Sequence, residues 1–196
     1  MTLTLTLTLT LIYSGAGLSG FYCTNFARHV TVTDGNDVVV RLLNKNLASN
    51  EVKTGSCSVK KLLWGHRQYI EECFKDEMVI PNVIIGADII LWPTYTKTLL
   101  ITLKYLLLLC NDVSQGVAYV SYIERAHTTT SLLHSIATDF GLEINDVDVH
   151  TFLPDPMPLD LSTLEKRLLV IRLKDPSNVD KNWMYDENTD NRSAPC

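Results

Sequence analysis

Residues 11–20 read LIYSGAGLSG, and their reading decides the fold. Gly15, Gly17 and Gly20 have the spacing G-x-G-x-x-G. Two readings are open: a glycine loop whose backbone can approach a nucleoside-bearing ligand, or only a tight turn from strand to helix. What flanks the loop decides between them.

On the N-terminal side, MTLTLTLTLTL (1–11) alternates with period 2 and predicts a strand with one buried face; so regular a repeat equally fits an irregular or truncated gene start. On the C-terminal side, 18–28 predicts a helix anchored by Leu18, Phe21, Tyr22 and Phe26, and HVTVTD (29–34) a short strand ending on an acid. Val39, Val40, Leu43 and Leu47 recur at helical spacing over 36–49. CSVKKLLW (57–64) predicts a weaker strand, and 65–80 a loop with a short helix. VIIGADII (83–90) is nearly unbroken apolar sequence, as in a parallel strand covered on both faces.

Pro93 suits the start of a helix over 94–110, and GVAYVSYIE (116–124) predicts a fifth strand. The next helix, near 128–141, carries Leu132, Leu133, Ile136 and Phe140 and ends at Gly141. DVDVHTFL (146–153) and RLLVIRLK (167–174) have only a Pro-rich loop (154–163) between them, so they are expected to pair antiparallel. The fold class is α/β: a doubly wound, seven-stranded, mostly parallel sheet with a terminal antiparallel strand pair. Residues 1–175 form the domain, and 176–196, polar and poor in apolar residues, read as a flexible tail.

Composition narrows the function. The chain has 196 residues, enough for one well-formed domain, and a formal charge of −5 with no long Lys or Arg run, which argues against a nucleic-acid partner. TLLITLKYLLLLC (98–110) is interrupted by Lys104 and is shorter than the roughly 20 apolar residues that span a bilayer, so no membrane partner is expected. The N-terminus lacks a signal peptide's positive region. Five scattered cysteines without a C-x-x-C pair suit reduced thiols and a cytoplasmic location, with the nucleus as alternative. His29, His66, His127, His134 and His150 fall at no metal-ligand spacing, so no metal is expected.

Ligands of doubly wound sheets sit beyond the carboxyl ends of the strands. Gly15 and Gly17 follow the first strand, and Asp34 ends the second about 20 residues on, where an acid can accept hydrogen bonds from ribose hydroxyls. Asp34 alone also suits a turn or helix cap; jointly the spacing favours a ribose-bearing ligand. Trp64 could stack on a purine or belong to the core. Asp88 interrupts an apolar run, where a carboxylate needs partners or a cavity.

The succession GAGLSG, VTVTDGN, LLWG and GADIILWP resembles the seven-β-strand S-adenosylmethionine-dependent methyltransferases. More narrowly it is similar to their protein-lysine methyltransferase branch, which includes the calmodulin-lysine and elongation-factor-lysine enzymes. The resemblance spans about residues 9–174. It implies S-adenosyl-L-methionine as cofactor and a protein bearing the target lysine as partner. Gly15 and Gly17 would lie under the methionine part, Asp34 would bind the ribose, and Leu63 and Trp64 would flank the adenine, with Ala87 also beside the cofactor. Asp88 would be the catalytic residue, in the branch's D-x-x-Y motif, and Trp92 would help bind substrate.

Departures accompany the resemblance. Against the common E-L-G-x-G-x-G loop, Leu11 replaces the acid and Tyr13 the first glycine, and Leu91 replaces the D-x-x-Y tyrosine. Relatives carry a segment before strand one that helps cover the site, so the domain reads as truncated at its N-terminal part. These departures support an alternative, a catalytically degenerate methyltransferase-like binding or regulatory protein. An NAD-dependent oxidoreductase shares the loop and the acid, but Tyr119 and Tyr122 have no lysine four residues on.

Overall fold

The computed structural model describes residues 7–50, 56–75, 80–153 and 165–178. Residues 1–6 of the Thr–Leu run, the Pro-rich loop and the tail beyond 178 lie outside the described residues.

Seven strands form one sheet in the order β3-β2-β1-β4-β5-β7-β6. They are β1 (Thr8–Ile12), β2 (His29–Asp34), β3 (Ser56–Lys61), β4 (Val83–Ala87), β5 (Val117–Ile123), β6 (Leu142–Val147) and β7 (Lys166–Leu173). β1 to β5 pair in parallel, while β7 runs antiparallel to both β5 and β6. The expected α/β sheet with its terminal antiparallel pair is what forms. The helices are α1 (Leu18–Cys23), α2 (Asp37–Ser49), α3 (Arg67–Cys73), α4 (Pro93–Leu109) and α5 (His127–Asp139). No helix among the described residues is long and apolar enough to cross a membrane.

Strand order reverses at β1, which pairs with β2 on one side and β4 on the other, so a crevice opens where the two connections diverge. That central position explains a first correction. Alternating Thr and Leu predicted one buried face, yet every residue of β1 is buried. Leu9 and Leu11 join the core with Val30, Val32 and Leu43, while Ile12 joins the larger core with Ile84 and the apolar side of α4. Thr8 and Thr10 are buried with them.

Two further expectations shift. The helix predicted over 18–28 ends at Cys23, and its supposed anchors Leu18, Tyr22 and Phe26 are exposed. The residue turned inward is Gly20, because α1 approaches β2 so closely that a β-carbon there would run into Val32. β6 lies at Leu142–Val147 rather than 146–153, and Val149–Thr151 form a 3₁₀ turn capped by the Asp148 side chain, which accepts from His150 N. As the outer strand, β6 buries only Leu142 fully, so its sequence lacks an apolar rhythm. Pro93 opens α4, and Gly141, at φ +66°, follows α5.

Candidate functional site

The loop after β1 is held by its own backbone and by β2. Ser14 N donates to Thr33 O at 2.8 Å, Gly17 N to Ser14 O at 2.9 Å, and Asn46 Nδ2 of α2 to Ala16 O at 2.9 Å. Three of its residues have left-handed backbone: Tyr13 at φ +56°, Gly15 at +53° and Gly17 at +88°. The two glycines differ in purpose. A β-carbon at Gly17 would lie 2.7 Å from both Leu43 Cδ2 and the Phe21 ring, whereas nothing lies within 4 Å of one at Gly15. Gly17 permits α1 to pack; Gly15 leaves a bare stretch of backbone open to a ligand.

Asp34 converges on this loop. Its side chain accepts from Gly15 N at 3.4 Å through Oδ2 and from Asn36 N at 2.9 Å through Oδ1, and the residue is only 2% exposed. Burial pushes its carboxyl up from the ordinary value, against the opposing effect of the Asn36, Gly15 and Gly35 amides. Asp34 does not cap α2: Asn36 does, accepting from Val38 N at 2.8 Å. The contact to Gly15 is at the long limit for an N–H···O bond, hence weak and exchangeable.

Beside the loop is a cavity of about 290 Å³ at the carboxyl ends of β1 to β4. Leu63, Trp64 and Trp92 line it, as do Tyr13, Asn36 and Tyr95. The rings are paired: Tyr13 and Trp64 have centroids 5.1 Å apart at 47°, and Trp92 and Tyr95 meet edge to face at 6.1 Å. Gly15, Gly17, Asp34, Ala87 and Asp88 are not among the lining residues. Sequence reading treated Tyr13 as a departure from a pattern and passed over Tyr95, although Pro93 at the start of α4 puts Tyr95 in its first turn, facing the strand ends.

Asp88 turns elsewhere. It leaves β4 with left-handed backbone (φ +54°), its amide donating to Ser121 O at 2.7 Å. Its carboxylate forms a fork-to-fork pair with Arg125, at 2.9 and 3.0 Å, with both side chains about half exposed. Arg125's hydrogen bond and charge hold the Asp88 carboxyl below its usual range. The partner demanded by an acid in an apolar run is therefore a guanidinium at the end of β5. Among the described residues, no group of three or more His, Cys, Asp or Glu could hold a metal ion.

Comparison with known proteins gives the family and the fold. A family described as "Lysine methyltransferase" matches residues 8–139, more than half of the chain. No curated protein sequence matches. Among solved structures the chain is similar to an rRNA methylase from Streptococcus thermophilus, at 12% identity and TM-score 0.54, covering 86% of this chain and 88% of that one. It is similar to SMU.1697c of Streptococcus mutans, solved in complex with SAH, at 12% identity and TM-score 0.55, covering 84% and 88%. A ribosomal protein L11 methylase from Lactobacillus delbrueckii subsp. bulgaricus gives 15% identity and TM-score 0.52, covering 86% and 71%. At these identities the likeness is one of fold.

Proposed function

The chain belongs to the lysine methyltransferase family, and from that premise we propose that it transfers a methyl group from S-adenosyl-L-methionine to a lysine of a protein substrate. The observation that carries the reading is the convergence of Gly15 and Asp34 beside an aromatic cavity at the point where strand order reverses.

The residues suit an adenosine-bearing group. The cavity, about 290 Å³, lies just below the roughly 300–1,000 Å³ of ligand clefts, which suits a nucleoside portion rather than a whole cofactor. Leu63 and Trp64 offer apolar and aromatic faces to a base, and Asn36 a polar edge. Asp34 would exchange its long contact with Gly15 N for ribose hydroxyls. Gly15, without neighbours where a β-carbon would stand, leaves its backbone open to the rest of the cofactor, with Gly17 turning the loop and Ala87 at the end of the adjacent strand.

The bound cofactor would supply an electrophilic methyl group on its sulfonium. What the chain must do is hold a neutral amine in line with it and keep water out. Asp88 would accept the amine's hydrogen bond and face its developing positive charge, sharing its carboxylate with Arg125. Trp92, 60% exposed at the cavity, would give the lysine stem and its cation an aromatic face.

A second reading, a catalytically silent binding or regulatory protein, is favoured by the same Asp88–Arg125 pair, since both carboxylate oxygens are already engaged by a guanidinium. Calorimetric titration with S-adenosylmethionine and with NAD separates the readings at the level of binding. Binding of only the first supports the methyltransferase; binding of neither supports the silent protein; binding of NAD alone overturns both. Mass spectrometry of cytoplasmic proteins incubated with the chain and isotopically labelled cofactor then tests for labelled lysine, the expected product, against labelled nucleic acid or no label.

A further inference from the structure

Tyr13 is the cavity-lining residue whose backbone is least suited to its side chain. At φ +56° it adopts a conformation that glycine tolerates and residues with a β-carbon rarely adopt. The next turn of the chain is fixed by Ser14, which bonds both Leu11 O and Thr33 O, so this conformation is imposed from both sides. It aims the phenol ring at Trp64.

We propose that Tyr13 gates this cavity, its ring covering the face of Trp64 that a flat ligand ring must occupy and swinging out to admit it. The inference rests on the reading of the cavity as a nucleoside site and names what controls entry to it. The distances decide the matter. A ring held between two others needs two van der Waals contacts of about 3.5 Å each, about 7 Å in all. Tyr13 and Trp64 stand 5.1 Å apart, tilted by 47°, so no third ring fits between them. Tyr13 is 48% exposed, so its ring can turn into solvent without repacking the core, and rotamer exchange of such a side chain is fast.

The gate is neutral. Burial, then the nearby Asp34 charge and Tyr95, push the Tyr13 phenol up from its ordinary value of 10.0. The closed form therefore competes with ligand through one aromatic contact, and the apparent affinity is the intrinsic one multiplied by the fraction of molecules that are open. Removing one such contact corresponds to about 2- to 10-fold in affinity.

The test compares the parent chain with Tyr13→Gly, which suits the left-handed backbone, and Tyr13→Phe, which keeps the ring. Calorimetry with S-adenosylhomocysteine measures affinity, and ¹⁹F NMR of 5-fluorotryptophan-labelled protein, assigned with Trp64→Phe, measures exposure of Trp64 to solvent. The expected result is about 2- to 10-fold tighter binding by Tyr13→Gly, unchanged binding by Tyr13→Phe, and a Trp64 signal exposed in Tyr13→Gly alone. Equal or weaker binding by Tyr13→Gly than by the parent overturns the gate. If no form binds the nucleoside, the cofactor reading falls and the gate falls with it; if the parent binds but Tyr13→Gly leaves the Trp64 signal unchanged, the gate alone is overturned.

Discussion

The carboxylate of Asp88 stands 2.9 and 3.0 Å from the two terminal nitrogens of Arg125, a residue 37 positions further along the chain. Such forks are specific in geometry, but with both partners about half exposed the pair stabilises the fold by only about 0–1 kcal/mol. Asp88→Ala should therefore leave cofactor binding and thermal stability nearly unchanged while abolishing methyl transfer. The pair also sets a sign in pH. Arg125 lowers the folded-state value of Asp88 below 3.8, so its small contribution is present above that value and lost as pH falls through the folded one. The gap in Tm between parent and variant should close in acid. Loss of cofactor binding on Asp88→Ala would move this residue from the amine to the cofactor.

Gly15 and Gly17 sit two residues apart with the same sign of φ, yet they should respond differently to alanine. At Gly15 (φ +53°) there is open space, so the cost is backbone strain, about 1–2 kcal/mol. At Gly17 (φ +88°) the same strain is joined by overlap with Leu43 and Phe21, adding about 1–3 kcal/mol. Denaturant midpoints should therefore fall further for Gly17→Ala. Cofactor affinity should be hit by Gly15→Ala, whose methyl would enter the space left to the ligand. Equal midpoints for the two variants would show that Leu43 and Phe21 move aside freely.

Asp34 predicts a pH dependence of opposite sign to that of Asp88. Its folded-state value lies above 3.8 because burial outweighs the three backbone amides. The charged form is thus the costly one, and the stability this group contributes is present below 3.8 and lost as pH rises through the folded value. Asp34→Asn cannot ionise. The Tm of the parent should fall relative to that of Asp34→Asn as pH rises from about 3 to 6, and a constant difference would contradict the burial argument. Asp34→Ala should abolish cofactor binding on the proposed function.

β4 was legible because a parallel strand covered on both faces can announce itself by an unbroken apolar run, and VIIGADII became β4 with Asp88 just past its end. The glycine spacing and the acid about 20 residues on were legible too, since Gly15 and Asp34 meet in a hydrogen bond. Local rhythm could not say that β1 lies mid-sheet and buries its threonines, or that α1 presses so close that a glycine faces inward. Those are consequences of neighbours distant in sequence. The same holds for Arg125, an unremarked charge after β5 until the strand order brings it to Asp88. Tyr13 looked like a lost glycine; only the ring contact with Trp64 gives it a role.

Arg167, at the start of β7, is the strongest candidate for a charge whose removal unfolds the domain. Its guanidinium reaches Glu124 at 2.8 Å, Glu165 at 2.8 Å and Asp146 at 3.3 Å, tying the end of β5 to β6 and β7. The Glu124 side chain is only 3% exposed, with His127 Nδ1 also 2.6 Å from it. Burial pushes the Glu124 carboxyl up, but the hydrogen bonds and charge of Arg167, aided by His127, prevail and hold it below 4.5. Glu124 is buried but Arg167 is partly exposed and His127 stays beside the acid, so Arg167→Met should cost about 1–3 kcal/mol. In the parent the contribution of Glu124 is present above 4.5 and lost as pH falls through its folded value. In Arg167→Met the acid loses the largest influence that opposes burial and keeps only His127, so its folded value should rise and the loss of stability on acidification should shrink. Adding Glu124→Gln removes the stranded charge and should recover most of the loss. Urea midpoints from pH 4 to 8 for parent, single and double variants measure both effects; a single variant within 1 kcal/mol of the parent, or a double variant no better than the single, would assign the network to the surface rather than to the core.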